Sequence, residues 1–82
     1  NPFNPETTIN YSLKENAKVS LNIYNIKGQK VKTLVDEQLQ QGEHSAIWNG
    51  RGSNGNQVSS GIYFYKMKTD NFEKTRKMIL IK

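Results

Sequence analysis

Apolar and polar residues alternate along this chain in a series of short runs. Thr7-Thr8-Ile9-Asn10-Tyr11-Ser12-Leu13 sets Ile9, Tyr11 and Leu13 on one side, the period of two that a half-buried strand requires. After a turn at Lys14-Glu15-Asn16, residues 17–24 repeat the pattern with Val19, Leu21 and Ile23 facing inward. Asn25-Ile26-Lys27-Gly28 closes a hairpin, with Gly28 as the position of positive φ. Residues 30–35 return as a third strand. Its apolar residues Val31 and Leu34 lie three apart, which breaks the alternation and predicts a bulge.

Residues 36–42 are polar apart from Leu39, too short and too polar for a helix, and read as a connection. A fourth strand over residues 43–49 aligns His44, Ala46 and Trp48. A loop of glycine, asparagine and serine follows, with a short strand expected at Gln57-Val58. Residues 61–69 form an aromatic strand: Tyr63, Tyr65 and Met67 face one way, Ile62 and Phe64 the other. Apolar residues on both sides mark a central strand. Asp70-Asn71 turns the chain into a last strand over residues 72–82, with Lys74, Arg76, Met78 and Leu80 on one face and Thr75, Lys77, Ile79 and Ile81 on the other.

About seven short strands with no helix, separated by turn signals every eight to twelve residues or so, predict an all-β, immunoglobulin-like antiparallel β-sandwich. A five- or six-stranded barrel is the competing arrangement. The stretch from Trp48 to Tyr65 looks like the clasp of the fold. It joins the single tryptophan to the aromatic strand through a loop whose Gly and Asn residues turn without steric cost. Trp48 and Tyr63, with Val19, Leu21 and Ile23, are the expected structural core. Tyr63 has the placing of a tyrosine-corner residue, whose buried hydroxyl must find a backbone partner.

Composition narrows the function. Eighty-two residues make one domain, here 1–82, with residues 1–6 as an extended lead-in whose two prolines restrict it and whose Phe3 is expected to tuck against the sandwich edge. The absence of cysteine removes disulfides and thiolate metal sites. No apolar run approaches the ~20 residues of a membrane span, so no membrane insertion is expected. The opening Asn-Pro-Phe-Asn-Pro resembles the interior of a longer polypeptide, which suggests an excised or processed module. The formal charge of +5 raises nucleic acid as a partner, but the cations are dispersed and only Lys74-Thr75-Arg76-Lys77 is a cluster. A solvated face is the expected reading, with no nucleic-acid role.

Catalysis and metal binding find little support. His44 is the one histidine, with no nucleophile or carboxylate set beside it, and the acids are scattered. The loop oxygens of Asn49, Ser53, Asn54 and Asn56 could approach calcium, yet the loop lacks any carboxylate and carries Arg51. No cofactor is expected. Sugar binding would need exposed aromatics, and the parity of Tyr24 and Phe64 makes them the better candidates, whereas Trp48 and Tyr63 fall on core positions.

The residues also carry a family resemblance. Asn-Pro-Phe-Asn-Pro, Thr-Thr-Ile-Asn-Tyr-Ser-Leu, Val-Ser-Leu-Asn-Ile-Tyr-Asn-Ile-Lys-Gly-Gln-Lys-Val-Lys-Thr-Leu, Trp-Asn-Gly-Arg, Gly-Asn-Gln-Val-Ser-Ser-Gly-Ile-Tyr-Phe-Tyr and the closing Lys-Met-Ile-Leu-Ile-Lys occur in one known order. The chain resembles the C-terminal sorting domain of type IX secretion cargo, in the branch similar to the immunoglobulin-like domain of the flagellar hook-capping protein. The resemblance implies a non-enzymatic, monomeric module of a secreted or cell-surface protein of Bacteroidetes-type bacteria. Such a module is exported through the periplasm and recognised by the outer-membrane secretion machinery. It places the sorting signal on Gly61 and Tyr63, from a Gly-x-Tyr element, and on Lys74, Lys77 and Lys82 of a basic final strand. Asn49 departs from the aspartate common after the tryptophan, which weakens any cation site in the loop. The alternative is an accessory carbohydrate-binding or structural β-sandwich module appended to a secreted hydrolase.

Overall fold

Each alternating run becomes a strand in the computed structural model, which describes residues 6–81. The elements are β1 (Thr7–Leu13), β2 (Ala17–Asn25), β3 (Lys30–Leu39), β4 (Gly42–Trp48), β5 (Gly61–Lys68) and β6 (Glu73–Leu80). All neighbours pair antiparallel. β1 pairs with β4 in a two-stranded sheet, and β3, β2, β5 and β6 form a four-stranded sheet in that order. The two sheets enclose one core. Ile9, Leu13 and Trp48 come from the small sheet, and Val19, Leu21, Ile23, Val35, Tyr63, Met67 and Leu80 from the large one. Trp48, Leu21, Ile23 and Val19 are completely buried.

The β2–β3 pairing carries the predicted irregularity, and it does so twice. Leu21 faces Val35 and Asn22 faces Thr33, so Leu34 is an extra residue; Ile23 faces Lys32 and Tyr24 faces Lys30, so Val31 is another. These are the two residues whose spacing broke the alternation. Each bulge turns its side chain back toward the interior, and both Val31 and Leu34 pack partly buried against the core.

Three details differ from the sequence reading. The described residues form six strands rather than about seven, because Gln57 makes only a single bridge, to Arg51. Positive φ at Gly50 and Gly55 curls the loop so tightly that it bonds to itself instead of forming a ladder. Residues 36–39, expected in a connection, continue β3, where Asp36, Glu37 and Gln38 are exposed and Leu39 is half-buried. An edge strand tolerates polar side chains because water reaches it, so composition alone understates its extent. The last strand is shorter than expected, since Phe72 belongs to the preceding turn. The expectations for Phe3 and Lys82 lie outside the described residues.

Two turns follow their sequence signals. Gly28 has φ of 83°, and the Asn25 side chain accepts hydrogen bonds from the Lys27 and Gln29 amides at 2.9 and 3.0 Å. At the other hairpin Thr69 N–H donates to the Phe72 carbonyl at 2.9 Å across Asp70-Asn71, and the Thr69 hydroxyl accepts from the Asn71 and Phe72 amides.

Candidate functional site

The stretch between Trp48 and Tyr63 is tied down from both ends. The Trp48 indole is fully buried and satisfies its one polar group by donating to the Arg51 carbonyl at 2.9 Å. Tyr63 packs edge-on against it, with ring centroids 5.2 Å apart and planes at 66°. The Tyr63 hydroxyl donates to the Ser59 carbonyl, four residues upstream, at 2.7 Å, the geometry of a tyrosine corner. Between these anchors Gly52 N–H donates to the Asn56 carbonyl and Val58 N–H to the Gly50 carbonyl. The Arg51 guanidinium donates to the Gly55 carbonyl at 2.8 Å.

The loop is also locked to β3. The Val31 carbonyl, displaced from the ladder by its bulge, accepts from Ser53 N–H at 2.9 Å and from the Ser53 hydroxyl at 3.1 Å. Bulge and loop therefore work as one device. Gly52 is buried beneath this contact, and a β-carbon there would lie 3.5 Å from the Val31 carbonyl oxygen. Sequence reasoning missed this acceptor, although the Val31–Leu34 spacing was its signal.

The residues assigned to sorting by resemblance converge only in part. Gly61 faces Leu80 and Tyr63 faces Met78, so both sit beside the C-terminal half of β6. Lys74 faces Met67 and Lys77 faces Phe64, which puts the two lysines on opposite faces of β6. Gly61 has φ of 151° with open space where a β-carbon would stand, so its requirement for glycine is conformational rather than steric. Lys82 is outside the described residues. Among the described residues β6 pairs only with β5 and has no neighbour on its other edge, and from Glu73 to Lys77 every residue is exposed.

The outer face of this sheet exposes apolar side chains. Ile62 faces Ile79 and Tyr24 faces Phe64; Ile79 and Ile81 are 61% and 74% exposed, while Tyr24 and Phe64 are half-buried. On the same face Lys66 pairs with Glu73 at 3.0 Å, and this bond, then the charge of the same carboxylate, raises the Lys66 pKa.

Among the described residues the candidate reactive side chains are held in structural contacts. His44 stacks on Tyr11, with centroids 5.6 Å apart, and its Nε2 lies 2.7 Å from the Gln40 carbonyl. Burial raises the Tyr11 phenol above its ordinary value, and the nearby Glu37 carboxylate acts in the same direction. That pushes the phenol away from the range useful to a base or nucleophile at neutral pH. Among the described residues no group of three or more His, Cys, Asp or Glu side chains is placed to hold a metal ion. In the loop the Asn49 and Asn54 side-chain oxygens accept from the Arg51 and Asn56 amides, as turn-forming asparagines do.

With this geometry in place, comparison with known proteins points one way. The sequence profile of the FlgD Ig-like domain matches residues 4–72. A crystal structure of FlgD from P. aeruginosa aligns with a TM-score of 0.73 at 25% sequence identity, over 93% of this chain and 60% of that one. The chain thus spans about three fifths of that FlgD. No curated protein matches it.

Proposed function

The chain belongs to the FlgD Ig-like domain family, and on that premise we propose that it is a non-catalytic C-terminal module of a secreted or surface protein, read by the type IX secretion machinery as a sorting signal. The observation that carries the proposal is β6: a basic edge strand with a free side, holding Lys74, Arg76 and Lys77 in solvent. The family profile matches residues 4–72, so the cations of β6 lie outside the matched span. Exposed edges recruit partner strands, and cations on them select which partner can approach. In this reading the partners are the outer-membrane machinery and an N-terminal cargo domain, the module is a monomer, and its destination is the cell surface or the medium.

The test fuses residues 1–82 to a reporter in a type IX-competent host. Export of the intact fusion and periplasmic retention after removal of residues 72–82 are expected. Export that survives the removal would show that β6 does not carry the signal.

A second reading, an accessory glycan-binding or structural module of a secreted hydrolase, draws on one feature. Tyr24 and Phe64 stand opposite each other and half exposed on the outer face, beside Ile62 and Lys66. Retention on a polysaccharide column that disappears in Tyr24→Ala/Phe64→Ala would favour it.

A further inference from the structure

The sandwich is closed on one side and open on the other. On one side the short β3–β4 connection crosses from one sheet to the other, whereas on the other side β1 and β6 are both edges, each paired with a single neighbour among the described residues. Between them run two hollows, of about 500 Å³ and about 310 Å³, which share Ser12, Phe72 and Lys74 and so form one groove. Its apolar surface comes from Leu13, Tyr11, Tyr65 and Phe72; Phe72 is 44% exposed although it stands at the sandwich's margin. Free strand edges flank this groove on both sides.

Charge distinguishes it further. Lys74 and Arg76 have the parity of Met78 and Leu80, residues that face the interior, yet both are exposed because the two-stranded sheet does not extend over them. Among the described residues neither has a carboxylate within ion-pair distance. Glu73, the one acid on β6, is taken by Lys66 on the opposite face. Glu15, at the far end of the groove, accepts from the Asn71 side-chain Nδ2 at 2.6 Å.

We infer that the groove between β1 and β6 takes an extended acidic peptide segment, which adds a strand to the free edge of β6 and sets carboxylates against Lys74 and Arg76. Backbone pairing with an edge supplies register and affinity, and the alternate side chains of the added strand select by pocket and charge. One side of such a strand faces the groove, so acidic residues at every second position would meet both cations, while the residues between them lie over the outer face beside Ile79. The charges also say what does not bind. A second copy of β6 paired antiparallel about Thr75 would set Lys74 opposite Arg76, and paired about Arg76 would set that arginine against itself; like charges directly opposed destabilise a ladder. The same cations that keep the edge from self-pairing admit an acidic partner. The inference deepens the sorting proposal, resting on it for where such a partner would be met and on the groove alone for what it would look like.

The experiment is an amide NMR titration of the full 82-residue chain with a short peptide alternating glutamate and valine, and with a control alternating lysine and valine. Saturable shifts confined to the β6 amides and to Tyr11, Tyr65 and Phe72, salt-sensitive and absent with the control, are expected. Lys74→Glu/Arg76→Glu should weaken the acidic peptide by at least about tenfold while leaving the dispersion of the spectrum unchanged. Lys74→Arg/Arg76→Lys should retain binding. Shifts limited to lysine side chains, binding unaffected by the charge reversal, no binding at all, or peptide-free self-association through β6 would each overturn the inference. The two proposals fail separately. Peptide binding without any role for β6 in export would leave the groove and remove sorting; export that needs β6 with no peptide binding would do the reverse.

Discussion

The two ends of the aromatic strand β5 face very different neighbours. At its start, Tyr63 is wedged against Trp48 and bonded to Ser59, and the whole loop is fastened to the Val31 bulge. Further along, Tyr65 and Met67 look across to Arg76 and Lys74 on a strand whose outer edge is bare. Polar groups of the first region are consumed internally. Those of the second are left to solvent. A region that spends its hydrogen bonds on itself is a structural device, and one that leaves cations and a strand edge unspent is available to a partner.

Mutations should separate the two regions. Trp48→Ala removes the largest buried side chain and should cost about 3–5 kcal/mol, read from the midpoint shift in a denaturant titration. A loss below about 1 kcal/mol would mean that the clasp does not hold the fold. Gly55→Ala places a β-carbon at φ of 85° with no atom within 4 Å, so its cost is backbone strain alone, about 1–2 kcal/mol. A smaller loss would show that the loop relaxes and is less locked than its hydrogen bonds indicate. Tyr63→Phe deletes the donor to Ser59 and keeps the ring, with an expected loss of about 1 kcal/mol in the same titration.

The smallest effect belongs to the open side. The Tyr11 pKa is raised in the folded chain, so the neutral phenol is favoured by folding. Its contribution is present below the ordinary tyrosine pKa and is lost as pH rises through the higher folded value. Stability measured against pH should therefore fall at the alkaline end, and Tyr11→Phe should flatten that decline. An unchanged slope in the variant would remove Tyr11 as its source.

Much of the framework was legible in the residues. Val19, Leu21 and Ile23 announce an inward face by strict alternation, and Gly28 marks its turn because few other residues accept that φ. The Val31–Leu34 spacing announced a bulge but not its purpose, since the acceptor it frees is a carbonyl, and every residue has one. The strand character of Asp36, Glu37 and Gln38 was hidden because an edge strand in water needs no apolar pattern. The open side was the least legible. Lys74 and Arg76 occupy interior parity, and only the narrowness of the β1–β4 sheet explains why charged residues can stand there. No local sequence signal reports how wide the opposite sheet is.

Stability resides in the clasp, and β6 is the strand proposed to carry recognition. The direct measurement is export of a reporter fused to the domain carrying Lys74→Glu/Lys77→Glu, alongside the denaturation midpoint of the same purified variant. These exposed positions should leave the midpoint within about 0.5 kcal/mol of the parent while the reporter is retained in the periplasm. Export at the parental level from an equally stable variant would contradict the account.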